Sequence, residues 1–193
     1  AGLGLAALLG KMAGEVTAWG EQLQLGRLPW APNRQGHMRR PRELYLPSPQ
    51  LEAVLGTPPD LYAEERLPGL LSEVVAVAGF RRPTDVRLAE VVRHIEQRCA
   101  QRSPLPLAVY KWMEEGLKAG TLDGPTLQRE LEGRRWLCVD DGTYWNHRQV
   151  LGVVAPRYFG TRRGYFQRGA AELPLLCRLF AIPTEVTAPL IAE

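Results

Sequence analysis

At 193 residues the chain suffices for one ordinary domain or two small ones, burying roughly 70% of the surface an unfolded chain exposes. Hydrophobic residues at 45% and charged residues at 23% exclude a disordered or fibrous class. A net charge of +3, from 24 basic and 21 acidic residues, is too balanced for a nucleic-acid footprint unless the charge is locally concentrated.

The apolar stretch Gly2 to Gly10 lacks a preceding basic region and is followed by Lys11 and Glu15, so it reads as neither signal peptide nor membrane span. Leu5, Leu8, Leu9, Met12, Val16 and Trp19 follow helical spacing up to Gly20, which predicts an N-terminal helix. From Leu28 to Leu46 prolines forbid a helix, and Asn33 to Gly36 predicts a turn between two short extended pieces. Residues 47–65 read as loop with one short helix around Gln50 to Leu55. An apolar helical run, Leu67 to Ala78, closes at Gly79, and Pro83-Thr84-Asp85 opens a further helix. In that helix Val86, Leu88, Ala89, Val92, Ile95 and Cys99 are expected to line the buried side, with His94 on the polar flank.

Leu107 to Ala119 predicts the next helix, stopped by Gly120, and Pro125 starts a short one reaching about Leu131. Residues 135–151 carry the strongest strand signal: an apolar run, the turn dipeptide Asp141-Gly142 and an aromatic run, together a hairpin. The chain begins without methionine and ends on the apolar run Pro189 to Ala192, an expectation that it is a piece of a longer protein.

Cys99, Cys138 and Cys177 form no CxxC pair and sit among apolar neighbours, so they read as small buried hydrophobes in a reducing compartment, by default the cytoplasm. His37 and His147 are expected as exposed polar residues on the hairpins. The carboxylate pairs Glu64-Glu65, Glu114-Glu115 and Asp140-Asp141 read as solvated charge, because adjacent helical residues point apart. No serine lies in a nucleophile elbow, and no phosphate-binding glycine motif follows a strand. The expectation is a non-enzyme without metal or cofactor.

The chain contains a duplication. At an offset of 106 residues Trp30 falls on Trp136, Gly36 on Gly142, Arg42 on Arg148, Leu44 on Val150 and Leu67-Pro68 on Leu173-Pro174. Pro83-Thr84 falls on Pro183-Thr184 at an offset of 100. The fold class that follows is α+β, two similar units of residues 1–104 and 105–193, each a small antiparallel hairpin or sheet packed against helices.

The segments "LLSEVVAVAGFRRPTDVRLAEVVRHI", "AVYKWMEEGL" and "RRWLCVDDGTYWNHRQVLGVVAP", with "LPLLCRLFAIPT" beyond, resemble the repeat regions of sacsin-like proteins. These are very large proteins in which a GHKL-type ATPase module of the chaperone kind precedes long stretches of this pattern. The similarity covers residues 65–193 well and 25–65 weakly. It implies chaperone-like or scaffolding work through a protein partner or flanking domains, with any ATPase elsewhere: Asp140-Asp141-Gly142 is followed by Thr143, without the helix asparagine and glycine-rich lid of such a site.

One competing reading uses arginine and aromatic residues. Arg157, Tyr158, Arg162, Arg163, Tyr165, Phe166 and Arg168 could hold phosphates and stack bases, making residues 157–168 a nucleic-acid-binding loop. Otherwise the segment is a flexible loop whose aromatics dock on the core.

Overall fold

The computed structural model describes residues 25–67, 75, 78–153 and 155–187, without the side chain of Arg168. The expected N-terminal helix, most of the run from Leu67 to Ala78 and the last apolar residues lie outside them. The chain divides into two compact units, Ala1–Arg87 and Leu88–Glu193. The fold is α+β, and among the described residues no helix is long and apolar enough to cross a membrane.

In the first unit a 3₁₀ turn at Leu25–Arg27 precedes strands β1 (Ala31–Pro32) and β2 (Met38–Arg39). The strands pair antiparallel, with Ala31 opposite Arg39. A 3₁₀ turn at Pro41–Glu43 leads into Leu44 and Tyr45, and Tyr45 bridges to Tyr62 and Arg81. Helix α1 (Pro49–Leu55) is the short helix expected around Gln50 to Leu55; proline stands at its first position and Ser48 Oγ accepts from the Leu51 amide at 3.3 Å. Trp30 stacks edge-on against Phe80, 6.1 Å between centroids, in a core with Leu25, Leu44 and Leu67.

The second unit opens with α2 (Leu88–Ala100), α3 (Leu107–Ala119) and α4 (Gly124–Leu131). Gly120 ends α3 in the left-handed region, and the Asp123 carboxylate caps α4 by accepting from the Thr126 amide at 2.9 Å. The sequence-based division at 104/105 placed α2 with the first unit. It is tied into the second, where Glu96 pairs with Arg134 and the Ser103 carbonyl accepts from Tyr144 Oη. Its buried stripe also differs from expectation. Val91, Val92, His94 and Ile95 are buried, whereas Ala89 is exposed and Leu88 half-buried.

Strands β3 (Leu137–Cys138) and β4 (Tyr144–Trp145) form the predicted hairpin, with Leu137 opposite Trp145. It closes through a three-residue loop: the Val139 amide donates to the Thr143 carbonyl, and Gly142, at φ 82°, takes the left-handed position. The expected continuation to residue 151 is not part of the hairpin. After a 3₁₀ turn at His147–Gln149, β5 (Val150–Leu151) pairs parallel with β6 (Gly164–Tyr165). Between and beyond them lie α5 (Pro156–Phe159), α6 (Gln167–Glu172) and α7 (Pro174–Leu179). No helix opens at Pro183-Thr184, unlike the 3₁₀ turn at Pro83–Asp85.

The two units share one backbone pattern from 31–45 and from 137–151. Strand registers superpose at the 106-residue offset, and Gly36 and Gly142 have φ of 78° and 82°. Each glycine amide donates 2.8 Å to the carbonyl three residues back, and each following 3₁₀ turn ends at φ −113° on Leu44 or Val150. Farther on the offset becomes 103: Tyr62 O accepts from Arg34 N as Tyr165 O does from Asp140 N. Ala63 N donates to Tyr45 O as Phe166 N does to Leu151 O.

Candidate functional site

Two of the three histidines and the carboxylate of Glu114 are committed to packing. His147 is buried, not exposed as expected, and lies against Trp136 and Phe180, with Nδ1 accepting from Trp136 Nε1 at 3.4 Å. An accepting Nδ1 requires the neutral ring, and burial lowers the His147 pKa accordingly. His94 is only 3% exposed, not on a polar flank, and burial with Arg98 nearby lowers its pKa to about 4. Its Nε2 has no hydrogen-bond partner among the described residues. His37 is exposed as expected.

Glu114 also departs from the solvated reading: it is 2% exposed. Its carboxylate accepts from the Leu175 amide at 3.1 Å and the Leu176 amide at 2.8 Å, closing the free donors at the start of α7, and Lys118 Nζ lies 3.3 Å away. Two of the three thiols, Cys138 and Cys177, are buried. Burial raises the Cys138 pKa and pushes Cys177 up to about 11, which leaves both protonated at neutral pH. Among the described residues no group of three or more His, Cys, Asp or Glu side chains could hold a metal ion.

The buried histidines predict a pH response. An unfolded histidine protonates near pH 6.5, whereas native His94 does so only near 4, so the unfolded state binds more protons between these values. Stability is expected to fall as pH drops through that window, by about 3 kcal/mol for His94, and to level off below it. Urea titrations at pH 7.5 and 4.5 measure this, and His94→Leu should flatten the difference.

The segment 157–168 is not a flexible loop: it contributes α5, β6 and the start of α6. Its candidate residues separate. Arg157 and Arg162 are exposed and Tyr158 is 49% exposed, beside the buried ring of Phe159. Phe166 is buried against Tyr110, 5.2 Å between centroids, and cannot stack a base. Arg163 Nη1 donates to the Arg148 carbonyl at 2.8 Å, and Tyr165 Oη to the Gly160 carbonyl at 2.7 Å. The Arg168 side chain lies outside the described residues.

Arg163 and Tyr165 do meet other groups, in a half-open groove of about 400 Å³ whose lining includes Arg135, Thr143, Trp145 and Gln149. Arg135 and Trp145 were absorbed by the strand pattern in the sequence and missed as site residues. Trp145 is held firmly. Its Nε1 donates to Thr143 Oγ1 at 2.7 Å, which in turn donates to Asp141 Oδ1 at 2.6 Å. The bare backbone of Gly164 lies against its ring, since a Cβ there would stand 3.0 Å from Trp145 Cγ and Cδ1. A second cleft of about 620 Å³ has Leu105, Tyr110, Cys138 and Phe166 in its wall, with Asp140, Asp141 and Glu172 also lining it.

Compared with family models, with curated proteins and with solved structures, the chain matches none.

Proposed function

We propose that the chain is a non-catalytic scaffolding or protein-interaction part of a larger, cytoplasmic, sacsin-like protein of the chaperone type. The observation that carries this reading is the repeated unit. Residues 31–45 and 137–151 share strand register, turn and hydrogen bonds; the turn glycines Gly36 and Gly142, the arginines Arg42 and Arg148 and the apolar pair Leu44 and Val150 recur within them, and the core tryptophans Trp30 and Trp136 stand just before them. Such residues encode packing and surface. The groups able to do chemistry in the second unit support the same reading, since His94, His147, Glu114 and Cys177 are spent on core and cap. Three free cysteines, two of them buried, fit a reducing compartment. ATP hydrolysis in such a protein belongs to a GHKL module outside residues 1–193.

The test is co-purification from the source cell with the full chain as bait, followed by reconstitution from purified components. A defined protein partner that rebinds the purified chain is the expected result. A lone monomer that turns over a substrate overturns the proposal.

A second reading, nucleic-acid binding, retains one favourable observation: Arg157, Arg162 and Tyr158 stay exposed on the same unit as the groove that gathers Arg163 and Tyr165.

A further inference from the structure

The groove of the second unit differs in kind from the 620 Å³ cleft, whose wall includes Leu105, Leu107 and Val139. Its lining, which includes Arg135, Asp141, Thr143, Trp145, Arg163 and Tyr165, contains no aliphatic side chain. A peptide anchored by leucine or valine finds no apolar socket there. Flat aromatic surface with guanidinium and hydroxyl groups suits a planar, anionic ligand.

Charge is concentrated at the same place. Residues 134–168 hold seven arginines and two aspartates, and with Glu96 paired to Arg134 and Glu132 to Arg148 the local surplus is three, as large as the +3 of the whole chain. The rest of the chain then balances to zero, and the positive charge is local to this hairpin and the segment after it. The nearer aspartate, Asp141, is occupied: its Oδ1 accepts from the Thr143 amide at 2.8 Å and from Thr143 Oγ1. Its repulsion of a phosphate is thereby reduced, not abolished.

The duplication separates what the fold needs from what the groove adds. Trp136, Gly142, Val150 and Tyr165 find Trp30, Gly36, Leu44 and Tyr62 at the equivalent positions of the first unit. Arg135, Trp145 and Arg163 find Pro29, Arg39 and Asp60. The same backbone forms in the first unit without the two arginines and the tryptophan, so folding does not require them.

We propose that this groove binds single-stranded nucleic acid, with one base stacked on Trp145 and the adjoining phosphates held by Arg135 and Arg163. The hydrogen bond from Trp145 to Thr143 and the packing of Gly164 against the indole preorganise the stacking surface. The half-open groove, about 400 Å³, accommodates one nucleotide at a time, and exposed Arg157 and Arg162 lie on the flanking segment. Recognition is of backbone and base plane, without sequence readout. The inference rests on the nucleic-acid reading above and is independent of the scaffolding proposal, since a partner protein can dock elsewhere on the chain.

The experiment is an anisotropy titration of the full chain against fluorescein-labelled 12-nucleotide uridine and thymidine strands, repeated at 50 and 200 mM salt. A duplex of equal length and a polyglutamate peptide serve as further arms. Salt-sensitive binding of the single strands is expected, weakened about tenfold or more by Trp145→Ala and held within about threefold by Trp145→Phe. Arg135→Ala combined with Arg163→Gln, which keeps a donor for the Arg148 carbonyl, should reduce the slope of log K against log salt by roughly 1.4, the share of two phosphates. Circular dichroism verifies each fold, and if Trp145→Ala unfolds, the phenylalanine and double-arginine variants decide. Absence of salt-sensitive binding overturns the proposal. So does binding that folded Trp145 and arginine variants leave unchanged, or equal binding of polyglutamate, which would assign the surface to acidic protein.

Discussion

Replacing Trp136 with alanine is expected to lower the stability of the second unit by about 3–5 kcal/mol, the range for removing a large buried aromatic. The indole is fully buried, packs 4.7 Å from Phe180 and 6.1 Å from Tyr110 between centroids, and donates to His147. Truncation leaves a cavity at the junction of three rings and deprives the buried imidazole of its partner. Tyr110 Oη also donates to the Trp136 carbonyl and accepts from the Cys138 amide at 2.7 Å, so distortion should spread into β3. Denaturant titration measures the loss, and amide exchange should show reduced protection at Cys138 and Val139. A loss below about 1 kcal/mol would contradict the account.

Glu114→Ala is expected to cost about 2–4 kcal/mol, because it strands two amides at the start of α7, one buried and one partly buried. The carboxylate accepts from both Leu175 and Leu176 while almost wholly buried, so deletion removes the cap of α7 from a neighbouring helix. Glu114→Gln keeps one accepting oxygen and should lose roughly half as much. Circular dichroism with urea titration separates the two variants. Equal stability of Glu114→Ala and the parent chain would show that α7 starts by other means.

Much of this architecture was legible because its signals are local. Ser48-Pro49, Asp123-Gly124-Pro125 and Gly120 each act within one helical turn, and helices start or stop where these residues stand. Asp141-Gly142 marked a turn, though the loop has three residues because Asp141 does not take the left-handed conformation that a two-residue turn needs. What sequence reasoning missed is non-local. Glu114 and the amides it caps are 61 and 62 residues apart, and no spacing rule links them. Pairing of β5 with β6 joins residues 14 apart through an intervening helix, so the run to Leu151 read as hairpin.

His94 was recoverable. It lies three residues after Val91 and one before Ile95, inside the apolar stripe, and only its polarity argued for the outer face. The groove was half legible: arginine and aromatic letters were visible in 157–168, yet Phe166 turned inward and Arg135 and Trp145 came from the hairpin.

A chain that carries one hairpin twice must keep its copies from exchanging strands during refolding, a hazard for repeated sequences. β1 and β3 are equivalent two-residue strands at matching register, and length gives no discrimination between them. Chemistry does. The residue of β1 equivalent to Cys138 is Pro32, which has no amide hydrogen, while Cys138 must donate to Tyr110 Oη. A molecule that inserted β1 in place of β3 would leave that buried hydroxyl without its donor, so a single imino acid helps proofread strand partnership.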